Sequence, residues 1–157
     1  MDREKFAGKI RELLPVLYRV SWTQLRQQAD MEDAVQETIR RAWEKCAALR
    51  QEKYLQTWVV RILLNVCDDQ RRRARRCMPA ELAAASTEPG YPQDTPLLDA
   101  LMLLPERYRL PLQLHYVEGY DVKETAAMLR LPVGTVKSRL SRGREKLRDA
   151  VKEEVFE

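Results

Sequence analysis

The chain has 157 residues, enough for one ordinary domain or two small ones, and carries a net charge of +4 at pH 7. Its charged start, MDREKFAGKIRELL, predicts no signal peptide, and no run approaches the ~20 apolar residues that a membrane span needs. Cys46, Cys67 and Cys77 form no CxxC motif, and His115 is the only histidine, which argues against a zinc site or a disulfide framework. We therefore expect a cytoplasmic protein without membrane insertion, metal or cofactor.

Positive charge is distributed unevenly along the chain. Residues 1–77 carry 17 Lys and Arg against 11 Asp and Glu, whereas residues 78–94 carry no Lys or Arg against three acids. Residues 95–157 are nearly balanced, with 11 basic and ten acidic side chains. We therefore expect a basic face on the N-terminal part, which makes a polyanionic partner reasonable.

The N-terminal part predicts two helices before residue 47. The first covers residues 10–29, although Pro15 requires that this helix begin near it or kink there. The second begins after Asp30, since aspartate is a favoured N-cap and the apolar residues that follow recur at steps of three and four. This apolar stripe, which we expect in the core, comprises Met31, Ala34, Val35, Ile39, Ala42, Trp43 and Cys46.

The opposite face of the second helix is polar and rich in carboxylates. Its members are Glu32, Asp33, Gln36, Glu37, Arg40, Arg41 and Glu44. Clustered carboxylates are also typical of metal-dependent nucleases, so a nucleic-acid-processing enzyme is one alternative. However, arginines lie among these acids, and no second acidic motif follows them. We therefore favour a binding surface over a catalytic site.

A third helix is predicted from about Leu55 to Arg76, after a short loop at 47–54. Its core candidates are Leu55, Trp58, Val59, Ile62, Leu63 and Val66. Arg61 and Asn65 lie one helical turn apart on the polar side, and the helix ends in the run RRRARR, residues 71–76. Such a run is often merely solvated, so by itself it predicts only an exposed helix end.

Residues 78–94 interrupt this helical pattern. The stretch MPAELAAASTEPGYPQD contains three prolines and one glycine among small residues, which predicts a flexible linker. A second domain then begins at Thr95. Its first helix, near residues 97–104, ends at Pro105, and the next covers residues 108–118 and ends at Gly119.

The stretch 120–148 predicts a helix-turn-helix. Asp121 and Glu124 have the spacing of a capping box, and Leu131-Pro132 ends the helix that they begin. Arg130 occupies the turn position at which glycine is frequent, because that residue takes a positive φ. The second helix has an inner face of Val133, Val136, Leu140 and Leu147. Since residues 137–148 carry six Lys and Arg and a single acid, we expect this helix to bind DNA.

Several runs occur in the order and spacing of a known family. The second domain contains LPERYR (104–109), VEGY (117–120) and GTVKSRL (134–140). In the first domain, DMEDAVQETIRRAWEK resembles the family's DxEDxxQExFxRxW segment, although Ile39 stands where Phe or Leu is frequent. YLQTWVVRILLNVCDDQRRRARR resembles its FxxWLxRIxxNxxxDxxRRxxR segment. The chain therefore resembles the extracytoplasmic-function (group IV) sigma factors of bacterial RNA polymerase, within the sigma-70 family.

The resemblance implies that residues 1–77 form a sigma-2-like domain, which binds core polymerase and the −10 promoter element. Docking on the clamp helices of the largest polymerase subunit would fall to Asp33, Gln36, Glu37 and Arg40. Contacts to the unwound −10 strand would fall to Arg61, Asn65, Arg71, Arg72 and Arg73. The linker 78–94 would lie near the active-site cleft of the polymerase.

The resemblance also implies that residues 95–157 form a sigma-4-like domain, which reads the −35 element. Base edges would be read by Lys137, Ser138, Ser141 and Arg142. Thr135 and Arg139 would contact phosphate. An inhibitory anti-sigma factor is a further partner that the family allows.

We therefore expect an all-α protein of two small helical domains, joined by a flexible linker, with a helix-turn-helix in the C-terminal one. Its expected function is that of a sigma factor, which directs core RNA polymerase to promoter DNA, helps to open it and catalyses nothing itself. The alternative is a dimeric helix-turn-helix repressor or activator that acts without the polymerase. That alternative needs a dimerisation surface, and no coiled-coil heptad appears.

Overall fold

A computed structural model of the chain describes residues 1–77 and 96–156. These residues form helices and turns without any strand, which confirms the all-α class. The chain divides into two compact units, Met1–Tyr91 and Pro92–Glu157. The predicted linker, residues 78–94, lies outside the described residues and stays a prediction.

In its described part, residues 1–77, the N-terminal unit is a bundle of three long helices. They are α1 (Arg3–Leu25), α2 (Gln28–Lys45) and α3 (Leu55–Cys77). Apolar side chains from all three helices form one core, whose main members are Ile10, Leu13, Leu17, Val20, Met31, Ala34, Val35, Leu55, Val59, Leu63 and Val66. Each helix is polar on its outer side and apolar on its inner side. Burial of the apolar sides, worth ~25 cal/mol per Å² of apolar surface, drives the packing of the three helices.

Helix α1 begins earlier than the sequence pattern indicated. It starts at Arg3, not near residue 10, and Asp2 is its N-cap, whose carboxylate accepts a hydrogen bond of 3.4 Å from the Glu4 N–H. Phe6 is buried and continues the apolar stripe one turn before Ile10. The additional turns therefore form because they bury an aromatic side chain.

Pro15 neither starts nor ends α1, which runs through it. A proline inside a helix costs about 3 kcal/mol, because one backbone donor is lost and the ring clashes with the preceding turn. Leu13 and Leu17, on either side, are buried, and this burial offsets the cost. The helix ends at Leu25 and not at 29, because Arg26 adopts the left-handed conformation with φ of 62°.

Two expectations for α2 are wrong. The helix begins at Gln28, so Asp30 lies in its first turn and is not the N-cap; its negative charge is still favourable there, near the positive end of the helix dipole. Trp43 is 37% exposed and not part of the core. The predicted loop that follows contains two single-turn 3₁₀ helices, Cys46–Ala48 and Glu52–Tyr54.

Between residues 96 and 156, the part of it that is described, the C-terminal unit contains four α-helices. They are α4 (Pro96–Leu101), α5 (Glu106–Leu112), α6 (Val122–Leu129) and α7 (Val133–Phe156). Helix α5 begins two residues before the predicted Tyr108 and continues through a π-helical turn, Gln113–Val117. The shared core comprises Leu98, Leu101, Leu104, Tyr108, Leu112, Ala126, Val136 and Leu140.

Gly143 allows α7 to cross α5 closely. A Cβ atom at this position would lie 2.9 Å from Leu112 Cδ1 and 3.4 Å from Tyr108 Cβ. A glycine inside a helix costs roughly 0.5–1 kcal/mol relative to alanine, so its presence here is explained by this close approach. The crossing determines which face of α7 turns inward and therefore which face is left to solvent.

Candidate nucleic-acid interface

A capping box starts the first helix of the predicted helix-turn-helix. The Glu124 N–H donates to Asp121 Oδ1 at 2.7 Å, and the Asp121 N–H donates to Glu124 Oε1 at 3.3 Å. The hydrogen bond from the Glu124 N–H also lowers the pKa of the Asp121 carboxyl. The box predicted from the sequence is therefore confirmed, and it fixes where α6 begins.

The turn between α6 and α7 is built on Arg130. Its φ of 55° and ψ of 44° are left-handed, as predicted for this position. The Arg130 N–H donates to the Ala127 carbonyl at 3.4 Å, and the Leu131 N–H donates to the Ala126 carbonyl at 3.0 Å. These two bonds satisfy carbonyls at the end of α6 and direct the chain into α7.

Two matched changes test the backbone strain in this unit. We expect Arg130→Gly to raise the free energy of unfolding by about 1 kcal/mol, because glycine adopts the left-handed conformation without the Cβ penalty. Gly119→Ala should lower the free energy of unfolding by a similar ~1 kcal/mol, because Gly119 has a φ of 84°, which alanine adopts only with strain. No atom lies within 4 Å of the added Cβ, so the loss would come from the backbone alone. Urea denaturation measures the free energy of unfolding of both variants. A change of the same sign in both would contradict this account.

Helix α7 presents one face to the core and another to solvent. Val136 and Leu140 are buried, and Leu147 packs against the same cluster. Val133 was expected on this inner face, but it is the first residue of the helix, lies at the edge of the core and is 37% exposed. The remaining polar positions of the helix therefore face outward.

The exposed face of α7 adjoins a shallow groove of about 400 Å³. Its lining residues are Arg107, Tyr108, Gly134, Thr135, Ser138, Arg139 and Arg142. Lys137 and Ser141 lie on the same helix outside the groove and are exposed. The fold thus brings four of the six residues predicted for −35 recognition into one concave surface and leaves the other two beside it.

The cations of this surface are free to bind a polyanion. Among residues 1–77 and 96–153, no carboxylate lies within ion-pairing distance of Lys137, Arg139 or Arg142. Three positive charges on one helix face, without neutralising partners in the described part of the chain, attract phosphate by long-range electrostatics.

The sequence interpretation missed Arg107 as a member of this groove. Its guanidinium lies 4.9 Å from the centroid of the Tyr108 ring, and the Lys146 ammonium lies 5.5 Å from the same ring. Further along α7, Arg144 donates a hydrogen bond of 2.7 Å to the Tyr116 hydroxyl. The run LPERYR contained Arg107, but only the packing of α5 against α7 places it beside the basic helix.

In the N-terminal unit, the polar face of α2 carries a network of ion pairs. Glu37 accepts from Arg40 Nη2 at 2.6 Å and from Arg41 Nε at 2.8 Å, and Arg40 Nη1 also lies 2.7 Å from Glu44. Hydrogen bonds from Arg40 and then Arg41 lower the pKa of Glu37 to about 2. Glu37 therefore stays ionised at physiological pH, while Asp33 and Gln36 beside it are exposed.

Two of the predicted −10 arginines lie near two of the predicted polymerase contacts. Asp33, Glu37, Arg71 and Arg73 all line a groove of about 900 Å³ near the end of α1. Arg71 also donates a hydrogen bond to Asp68. The other predicted −10 residues, Arg61, Asn65 and Arg72, lie on α3 outside this groove.

A separate groove lies beside the segment between α2 and α3. It measures about 720 Å³ and is lined by Glu44, Lys45, Ala47, Ala48, Leu49, Arg50, Gln51, Tyr54 and Trp58. Tyr54 is 54% exposed, and Trp58 is half-buried. Exposed aromatic rings in a groove are suited to stacking on unpaired bases. Tyr54 was not among the predicted site residues, and no local pattern distinguishes it from a solvated tyrosine.

Residues 1–77 and 96–156 contain no cluster of three or more His, Cys, Asp or Glu side chains suited to a metal ion. None of the helices in these ranges is both long and apolar enough to cross a membrane.

Family models match both units. Residues 10–77 match "Sigma-70 region 2", and residues 95–147 match "Sigma-70, region 4". The chain is 31% identical over 150 residues to the ECF RNA polymerase sigma factor SigM of Mycobacterium tuberculosis. This match covers 93% of this chain and 76% of SigM. It is 26% identical over 171 residues to SigW of Bacillus subtilis, spanning 97% of this chain and 91% of that protein.

Solved structures agree with these relatives. The sigma factor RpoE from Bartonella quintana, crystallised with the anti-sigma factor NepR, superposes with a TM-score of 0.77 at 26% identity, covering 95% of this chain and 98% of that one. CnrH, in complex with the cytosolic domain of CnrY, gives a TM-score of 0.72 at 25% identity and covers 97% and 90%. With regions 2 and 4 both matched in order, the chain belongs to the extracytoplasmic-function RNA polymerase sigma factors of the sigma-70 family.

Proposed function

We propose that the exposed face of α7 reads the −35 element of the promoters that this sigma factor selects. The observation that carries this proposal is the groove beside α7, in which Arg107, Arg139 and Arg142 line one concave surface. In a helix-turn-helix the second helix enters the major groove, and its early and middle positions meet base edges. Lys137, Ser138, Ser141 and Arg142 then read bases, whereas Thr135 and Arg139 contact phosphate.

The segment between α2 and α3 receives the unwound −10 strand in this proposal. Tyr54 and Trp58 supply stacking surfaces in its groove, and Arg50 adds a positive charge at the same place. Arg61 and Asn65 lie in the first half of α3, which follows this segment, and Arg71, Arg72 and Arg73 lie near the C-terminal end of that helix. Flipping a base costs a few kcal/mol, part of which stacking repays at ~1–3 kcal/mol per base.

The polar face of α2 docks on core polymerase through Asp33, Gln36, Glu37 and Arg40. The ion pairs of Glu37 with Arg40 and Arg41 hold Glu37 and Arg40 in place before binding, so less conformational entropy is lost on assembly. The same pairs argue against the nuclease alternative, because the carboxylate of Glu37 is already engaged by two guanidinium groups.

The protein acts in this proposal as a non-catalytic subunit, in the cytoplasm where core polymerase works. RpoE of Bartonella quintana and CnrH were both crystallised with an inhibitor, NepR or the cytosolic domain of CnrY. By similarity, we expect an anti-sigma factor to be a third partner, besides core polymerase and promoter DNA.

Reconstitution with core polymerase tests this function against its alternatives. Run-off transcription on genomic fragments should select promoters, and gel shifts should show tight, sequence-specific binding only when core enzyme is added. Nanomolar binding of a palindrome by the protein alone would support the dimeric repressor or activator. Divalent-metal-dependent cleavage of the DNA would support the nuclease.

A further inference from the structure

The first turns of α1 lie outside the part of the chain that matches region 2. That match begins at residue 10, whereas α1 begins at Arg3. Residues 3–9 therefore form an N-terminal extension relative to this match. Arg3 and Phe6 of the extension contact Trp43, just before the segment 46–54, and Lys5 contacts Glu52 inside that segment. This segment contributes most of the lining of the groove proposed above for the −10 base.

Two contacts are made where the segment departs from α2. Phe6 is 1% exposed, and its ring centroid lies 5.8 Å from that of Trp43, in the last turn of α2. The Arg3 guanidinium carbon lies 4.8 Å from the centroid of the same indole ring, a cation–π distance. Trp43, whose side chain is partly exposed, therefore packs against the extension just before the segment 46–54 begins.

A third contact is made inside the segment. Lys5 Nζ lies 3.1 Å from Glu52 Oε1. Glu52 opens the single-turn helix Glu52–Tyr54, which also carries the exposed ring of Tyr54. Because three residues of one helical turn move together, fixing Glu52 restricts the directions that the Tyr54 ring can take.

We propose that Arg3, Lys5 and Phe6 are positioning residues, which hold the segment 46–54 in the conformation that receives the unpaired −10 base. This inference rests on the function proposed above for that segment. A segment ordered before binding loses less entropy when the base arrives. If the segment were held only part of the time, the apparent affinity for the base would equal the intrinsic affinity multiplied by the fraction of time held.

Charge reversal in the Lys5–Glu52 pair tests this role in reconstituted holoenzyme. A promoter with 2-aminopurine in the −10 non-template strand reports opening by a rise in fluorescence. Lys5→Glu sets two carboxylates against each other, and we expect opening to fall about three- to fivefold, the upper end of the effect of an exposed ion pair. Glu52→Lys should do the same, and the double variant Lys5→Glu with Glu52→Lys should return to within about twofold of the unmodified protein.

Lys9→Glu is the matched control. Lys9 is exposed on the same helix, and its nearest partner is Glu12, 4.0 Å away within α1. This variant should open the promoter like the unmodified protein, and all variants should assemble with core polymerase and bind −35 duplex equally. Opening by Lys5→Glu at the level of Lys9→Glu, or a double variant as slow as the singles, would overturn the positioning role.

Tyr54→Ala separates this inference from the function on which it rests. We expect it to lower opening at least as much as Lys5→Glu does, since it removes a stacking surface itself. If Tyr54→Ala opens promoters normally, the segment does not hold the base and the function proposed for it is wrong. If Tyr54→Ala is slow while Lys5→Glu is normal, only the positioning role is refuted.

Discussion

Arg142→Ala should cost about 1–3 kcal/mol of binding at the preferred −35 sequence and should relax the choice of base there. Arg142 is exposed in the middle of α7, lines the groove beside it and has no ion-pair partner among the described residues. Its guanidinium is therefore free to pair with a guanine edge. The measurement is transcription by reconstituted holoenzyme from a promoter library randomised across the −35 element.

Arg148→Ala is the comparison, because it removes the same charge further along α7. If α7 lies in the major groove as proposed, it leaves the groove by that point, so we expect weaker binding to all sequences alike. The slope of log affinity against log salt should fall by about one phosphate contact, with base preference unchanged. If both variants shift base preference, or neither does, the assignment of the reading face is wrong.

Gln36→Ala combined with Glu37→Ala should weaken assembly with core polymerase by about tenfold or more, corresponding to ~1.4 kcal/mol or more. Both side chains lie off the apolar stripe of α2, so the core should stay intact. Glu37 also organises Arg40 and Arg41, and its removal releases both guanidinium groups from their partner. Fluorescence anisotropy of labelled sigma factor, titrated with core enzyme, measures the loss.

Glu12→Ala controls for the loss of one negative charge in the same unit. Glu12 is exposed on α1, with Lys9 as its partner at 4.0 Å, and should not affect assembly. Circular dichroism should show unchanged helicity in all these variants. Assembly of the double variant at the level of Glu12→Ala would show that another face docks on the polymerase.

The sequence by itself determined the features that depend on local chemistry. The capping box of Asp121 with Glu124 was predictable because both of its hydrogen bonds join residues three apart. The left-handed conformation of Arg130 was predictable because this position ends a helix. The order of the LPERYR, VEGY and GTVKSRL runs indicated the family without any structure. The all-α class followed from periodicity, since apolar residues at steps of three and four require helices.

The limits of helices were less accessible, because burial elsewhere in the fold decides them. Pro15 predicted that the helix either starts or kinks there; the start lies at Arg3 instead, and α1 runs through Pro15 while Leu13 and Leu17 on either side are buried. Trp43 lies on the apolar side of α2 by spacing but stays 37% exposed. A periodic pattern shows which side of a helix is apolar, but not how much of that side its neighbours cover.

Only the tertiary structure decided how the candidate sites are assembled. Arg107 and Arg142 belong to different helices and meet in one groove because Gly143 lets α7 approach α5. Lys5 and Glu52 are far apart in the sequence, and their 3.1 Å ion pair exists because the three-helix bundle brings α1 against the segment after α2. Spacing along the chain determines contacts between residues three or four apart, whereas contacts between helices depend on how the cores pack. For this reason the family and the basic helix were predictable from the sequence, but the composition of each groove was not.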